Sequence, residues 1–174
     1  WVYPNNLSST QIITDRRLGG GGNDIVVFLD SSSKVNLHAD SSTRITSSSS
    51  ISASQWTHIS VVRSSGTTKL YLEGTADSTT YSDSNNYYAN QVTLGKFYNG
   101  NQFELNGYIS NYREVKGTAV YTSNFTPPTS PLSAITNTIL LTCQNNTGTI
   151  TDSSSNNFTI TAVGNAAASA SNPF

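Results

Sequence analysis

Apolar and polar residues alternate with a period of two along most of the chain. The runs with this pattern are residues 10–17, 24–30, 34–39, 43–48, 56–64, 68–74, 90–97, 102–115, 137–143 and 157–163. Because side chains of a β-strand point alternately to opposite faces, the pattern predicts short strands joined by turns. No window of about a dozen residues keeps helical spacing. We therefore expect a turn or two of helix at most, with 117–123 as the best candidate.

The spacing of the runs predicts an all-β fold, an antiparallel two-sheet sandwich of jelly-roll type. In one run Leu70 and Leu72 share a face, whereas Lys69 and Glu73 share the opposite one. We expect the first face to lie in a core and the second to meet solvent or a groove. At 174 residues the chain is expected to form a single domain, 1–174.

Charge is sparse, at 11% of residues with a net charge of −1, and the basic residues are scattered. Nucleic-acid binding depends on clustered Lys and Arg, so we expect no nucleic-acid partner. No apolar run approaches the roughly 20 residues of a membrane-spanning helix. The chain has no Met and opens on "WVYP", which is typical of the second half of a strand. We expect the first strand residues to precede Trp1 in a longer gene product.

Several segments together carry a family resemblance. They are "WTHISVVR" (56–63), "TKLYLEG" (68–74), the Leu94-Gly95 pair and the segment from Phe103 to Leu132. Their order resembles the laminin-G-like branch of the concanavalin A-like lectin/glucanase superfamily, over nearly the whole chain. The part from residue 122 onward is similar to the version found in virion and tail-fibre proteins of marine bacteriophages. The resemblance implies a curved two-sheet jelly roll and leaves the ligand open.

The sequence shows no local pattern for catalysis. Glucanases need a pair of carboxylates, whereas Glu73, Glu104 and Glu114 are isolated, although Glu104 and Glu114 remain free to meet in space. His38 and His58 lie inside alternating strands, and no Gly-x-Ser-x-Gly turn or zinc-ligand spacing accompanies them. We therefore expect a protein that is not an enzyme.

Cys143, the single cysteine, lies in an apolar run, and we expect it to be an inert core residue. Calcium is possible, because the resemblance implies a rim site built from Asp, Asn and carbonyl oxygens, the ligands this ion prefers. The candidates lie in or beside loops: Asp24, Asp77, Asp83 and Asp152. Solvated loop aspartates are the alternative.

Two loops, 81–91 and 96–104, combine Tyr with Asn. Tyr offers broad contact area at low entropic cost, and Asn offers both a donor and an acceptor, which suits sugar recognition. The candidate binding residues are Tyr87, Tyr88, Tyr98, Asn99 and Asn101. Ordinary loop packing, or contact with a neighbouring subunit, is the alternative. Four glycines at 19–22 indicate a hairpin tip, and the prolines after Phe125 indicate an extended connection anchored by that ring.

Three hypotheses follow for function. In the first, the module belongs to a virion or appendage and recognises glycans or cell-surface polysaccharide during host attachment. In the second, it is a structural or decoration protein of a capsid, tail or filament without a sugar site. In the third, it is a domain of a secreted bacterial adhesin. All three place the protein on a virion surface or outside the cell, as a homo-oligomer or within a larger assembly.

Overall fold

A computed structural model describes residues 1–17, 23–87, 91–100 and 102–174. Over these residues the chain forms strands and no helix. The strands are β1 (Val2–Pro4), β2 (Gln11–Asp15), β3 (Ile25–Leu29), β4 (Lys34–Ala39), β5 (Ser42–Ser50), β6 (Ile59–Ser64), β7 (Thr67–Leu72), β8 (Thr75–Ser82), β9 (Thr93–Leu94), β10 (Gly107–Ile109), β11 (Tyr112–Val115) and β12 (Thr138–Thr142). The predicted all-β class is confirmed.

One layer is a five-stranded antiparallel sheet in the order β5-β4-β3-β2-β9. Alternate residues of β3 and β4 point to the core, among them Leu29, Val35 and Leu37, which are fully buried. The alternating pattern predicts this arrangement in β4, where apolar residues alternate with polar ones, whereas β3 is apolar on both faces. The Ser-rich β5 forms an edge of the sheet.

The facing layer is assembled from three smaller antiparallel sheets: β6-β7-β8, β1-β10 and β11-β12. Val2 of β1 and Leu70 of β7 belong to the same core cluster as the residues of β3 and β4. A single bridge, Val2 to Thr57, joins β1 to the segment that leads into β6. The two layers therefore enclose one apolar core.

Two hairpins of the β6-β7-β8 sheet turn through residue pairs with positive φ. Ser65 and Gly66 connect β6 to β7, and Glu73 and Gly74 connect β7 to β8. Positive φ at both central residues defines the type I′ turn, whose twist matches that of paired strands. The second turn also supports the predicted anchor, because the Phe125 amide donates to the Gly74 carbonyl at 2.9 Å.

Phe125 fastens the proline-rich connection to the sandwich, as predicted. Its ring stacks on Tyr121 with centroids 3.6 Å apart and planes 6° apart. Its ring centroid also lies 5.4 Å from that of His58, in an edge-to-face contact, and 5.6 Å from that of Tyr71, in a tilted one. The prolines that follow cannot donate backbone hydrogen bonds. This segment is therefore held by the Phe125 ring and amide and by the Asn124 side chain, which accepts the Ala76 amide at 2.9 Å.

Over the described residues the structure stays within the expected limit of a turn or two of helix. The best candidate, 117–123, is not helical, since Gly117 takes φ 93° where the chain leaves β11. One predicted strand is wrong. The run 157–163 forms no strand, because Phe158 donates its amide to the Asp152 carboxylate rather than to a neighbouring strand. β2 and β3 pair antiparallel, as a hairpin requires, while residues 18–22 of its tip lie outside the described residues.

Candidate functional site

The loop around Tyr98 and Asn99 rests on a buried carboxylate. Asp15 ends β2, is fully buried, and accepts the Tyr98 amide at 3.2 Å. The Arg17 guanidinium donates to both Asp15 oxygens and lies 4.2 Å from the centre of the Phe97 ring. The Tyr98 ring is half-buried, and Asn99 is exposed. A hydrogen-bonded support thus presents an aromatic ring beside an exposed amide.

Tyr87 has a different environment from Tyr98. Its hydroxyl donates to the Asp83 carboxylate at 2.8 Å, and the Arg63 guanidinium lies 5.5 Å from its ring. Burial, together with the Asp83 charge, raises the pKa of Tyr87. Its polar group is therefore engaged inside the protein. Tyr88 and Asn101, the remaining predicted loop residues, lie outside the described residues.

Asp83 acts as a hydrogen-bonding centre at the end of β8. It is buried, and it accepts hydrogen bonds from Thr68, Tyr87 and Asn85. It also forms an ion pair with Arg63. Burial alone would raise the pKa of this carboxyl, but these bonds and the Arg63 charge outweigh it and hold the pKa below its usual value. The carboxylate thereby orders the start of the predicted recognition loop.

The other calcium candidates also accept internal hydrogen bonds. Asp24 contacts His38 Nε2 at 3.1 Å, and Asp77 accepts the Ser48 amide at 2.6 Å. Asp152 accepts several amides, including that of Leu141 at 3.0 Å. Across the described part of the chain, no three His, Cys, Asp or Glu side chains gather where they would hold a metal ion. A calcium site at these positions stays a prediction.

The residues weighed for catalysis have structural contacts. The Glu73 carboxylate accepts the His58 amide at 2.5 Å, while Glu114 pairs with Arg16 and accepts the Tyr112 hydroxyl. Burial is the main reason that the pKa of His58 falls to about 4, which keeps the imidazole neutral near pH 7. Glu104 is exposed.

Cys143 is a half-buried free thiol. Burial raises the pKa of this thiol to about 11, so it stays protonated at neutral pH. Since the thiolate is the reactive form, this environment agrees with the expected inert role.

A groove of about 1020 Å³ is lined by residues of both layers and shares part of its lining with a second cavity of about 510 Å³. Its walls include β6 on one side and the segment from Arg113 to Tyr121 on the other. Two ring nitrogens on this wall, Trp1 Nε1 and His58 Nδ1, are buried and have no hydrogen-bond partner among the described residues. β6 is an edge strand of its sheet, so it presents unpaired backbone groups on the side that faces this groove.

An aromatic cluster that the sequence analysis did not predict lies on the outer face of β1 and β10. Tyr3 is paired directly with Tyr108, and their ring centroids are 5.7 Å apart. Trp56 lies 5.5 Å from Tyr3 and 6.4 Å from Tyr108. The signal was available only as alternation in "WVYPN" and "NGYIS", because nothing in the sequence shows that these two strands pair.

Two antiparallel layers around one core define a jelly-roll sandwich, a fold that commonly serves as a binding module. Residues 1–119 match the family model Laminin_G_3, described as the concanavalin A-like lectin/glucanases superfamily. The match covers more than half of the 174 residues, and the chain belongs to this family. Neither the curated proteins nor the solved structures gave a match. Over the described residues, no helix has the length and apolar character needed to cross a membrane.

Proposed function

We propose that this chain is a non-enzymatic surface-binding module of a phage virion or appendage, and that it recognises glycans or cell-surface polysaccharide for host attachment. The observation that carries the proposal is the Tyr98–Asn99 loop, in which an aromatic ring and an amide are presented on a support fixed by buried Asp15. Membership of a lectin-like family supports the same ligand class.

The support matters because recognition by a loop costs entropy when the loop must be ordered on binding. The Tyr98 backbone is already bonded to Asp15, and Arg17 is held by the same carboxylate while it covers Phe97. A preorganised site loses less freedom on binding. Tyr98 is therefore the stronger of the described tyrosine candidates, since the Tyr87 hydroxyl is committed to Asp83.

Binding to a broad array of marine polysaccharides tests the proposal. Tyr98→Ala is expected to weaken binding at least about tenfold, or about 1.4 kcal/mol, with little change in melting temperature. Phe158→Ala is the matched control, because Phe158 is an exposed aromatic residue outside the loop. Tyr87→Ala is expected to lower the melting temperature, since it removes a bond to Asp83. A wild-type protein that binds nothing on the array would overturn the proposal.

The second candidate function is a structural or decoration protein without a sugar site. It is favoured by the carboxyl-terminal segment, where Phe158 and Val163 are 55% and 51% exposed. Exposed apolar side chains of this size suit contact with a neighbouring subunit. A native assembly in which the Tyr98 loop is buried between subunits would support this function, and loops that face outward would contradict it.

A further inference from the structure

The outer face of the β1-β10 pair brings together aromatic and amide side chains. In this pair Tyr3 faces Tyr108, and the next outward positions are Asn5 and Asn106. The Asn5 side-chain amide donates to the Asn106 side-chain oxygen at 2.9 Å, and both residues are exposed or nearly so. Trp56 borders the same face.

Strand geometry explains why these side chains point outward. Val2 and Ile109 are the inward residues of the same two strands and pack against the core. Side chains alternate along a strand, so Tyr3 and Tyr108 must lie on the opposite face. Trp56 precedes Thr57, which bridges to Val2 and is buried, and this places the indole on the outside with the tyrosines.

Backbone contacts hold the face rigid. Val2 and Thr57 exchange two backbone hydrogen bonds of 3.0 and 2.8 Å, and the Ser54 amide donates to the Pro4 carbonyl at 2.7 Å. Opposite Pro4, Gly107 allows the two strands to approach, since a Cβ at this position would lie 2.1 Å from the Tyr3 carbonyl oxygen. The aromatic cluster is thus fixed from both sides of β1.

We propose that this face is a second saccharide site that takes a neutral pyranose residue, stacked on the ring of Trp56 or Tyr108 with its hydroxyls bonded to Asn5 and Asn106. The aromatic rings match the apolar face of a sugar ring. The paired amides leave the Asn5 oxygen as an acceptor and the Asn106 nitrogen as a donor, the combination that adjacent hydroxyls require. None of the five side chains of the face is charged, which favours a neutral sugar over an acidic one.

Ring orientation narrows the ligand further. The planes of the three rings are inclined to one another by 45° to 70°. A flat crystalline polysaccharide needs coplanar rings in a row, whereas inclined rings accommodate one sugar of a flexible chain or a chain end. The site therefore selects dissolved oligosaccharides. This inference rests on the proposed function for its ligand class, but it uses none of the residues of the Tyr98 loop.

Calorimetric titration with neutral and acidic oligosaccharides tests the site on the full chain. Trp56→Ala and Tyr108→Ala are each expected to weaken binding of a neutral oligosaccharide at least about tenfold, or about 1.4 kcal/mol. Asn106→Ala keeps the rings and removes one amide, so it is expected to reduce affinity while melting temperature is kept. Phe158→Ala removes an exposed aromatic ring outside both candidate sites and is the control, which is expected to keep this binding.

The outcomes separate the two proposals. If Tyr98→Ala abolishes binding and Trp56→Ala does not, the second site is wrong and the proposed function stands. If the wild type binds no saccharide, both are wrong. If Trp56→Ala instead converts a dimer to a monomer in light scattering, the face is a contact between copies and the inference is overturned. Binding to crystalline cellulose that is as tight as binding to dissolved oligosaccharides would contradict the selection of dissolved chains that the ring orientation predicts.

Discussion

Replacement of Gly74 by Ala tests how the connection carrying Phe125 is held. Gly74 has φ +75°, and a Cβ there would lie 1.9 Å from the Phe125 carbonyl oxygen. The left-handed backbone costs a non-glycine residue about 1–2 kcal/mol. Displacement of the connection also removes the 2.9 Å bond between Phe125 and Gly74, worth about 0.5–1.5 kcal/mol. It further weakens the stack of Phe125 on Tyr121, worth a further ~0.5–1.5 kcal/mol.

The chain offers a matched control at Gly66. Its φ is +74°, it occupies the equivalent turn position, and the nearest atom to an added Cβ is 4.0 Å away. Gly66→Ala is therefore expected to lower the free energy of unfolding by about 1–2 kcal/mol, the cost of the left-handed backbone alone. Gly74→Ala is expected to lower it by about 2–5 kcal/mol, because the contacts of Phe125 are lost as well.

Urea denaturation followed by tryptophan fluorescence measures both free energies of unfolding, and thermal melting provides a second measurement. For a chain of this size each kcal/mol corresponds to about 2–4 °C in melting temperature. Equal losses at the two glycines would refute the reasoning, because they would show that the contact with Phe125 contributes nothing to stability.

Two further predictions concern buried ionisable groups. His58 is 6% exposed and its pKa is lowered from 6.5 to about 4, mainly by burial, so the unfolded state binds the proton first as pH falls. The free energy of unfolding is expected to decrease by about 3 kcal/mol between pH 6.5 and 4. His58→Gln should remove this dependence on pH, as measured by urea titrations at several pH values. An unchanged dependence would show that another group is responsible. Asp152 accepts the amides of Leu141, Ser154 and Phe158, and its pKa is lowered because these bonds outweigh burial. Asp152→Asn is expected to cost about 1.5–3 kcal/mol at pH 7; a loss within error would mean that these bonds are replaced by water.

The sequence predicts the core strands well and the polar parts of the fold poorly. β4 has the predicted bounds, 34–39, because Val35, Leu37 and Ala39 alternate with polar residues and all three are buried. β8, from Thr75 to Ser82, was not predicted, since most of its side chains are exposed and no apolar face marks it. Its position depends on pairing with β7, which no local pattern reveals.

The candidate site was predictable in composition and not in arrangement. The Tyr and Asn content of the loops indicates Tyr87 and Tyr98 equally, and only their contacts distinguish them. Asp83 accepts the hydroxyl of Tyr87, whereas Asp15 accepts the backbone amide of Tyr98. The pairing of Tyr3 with Tyr108 depends on long-range register. Such a juxtaposition follows from the complete topology, so it cannot be derived from either segment alone.

The groove along β6 has a consequence for hydrogen exchange. In an antiparallel pair, backbone amides alternate between the two sides of a strand. The His58 carbonyl accepts the Glu73 amide on the β7 side, whereas the Thr57 amide donates to the Val2 carbonyl on the opposite side. Continuing this alternation along β6, we expect the amides of Ile59, Val61 and Arg63 to point away from β7 and to face the groove. A single strand should therefore show alternate slow and fast exchange.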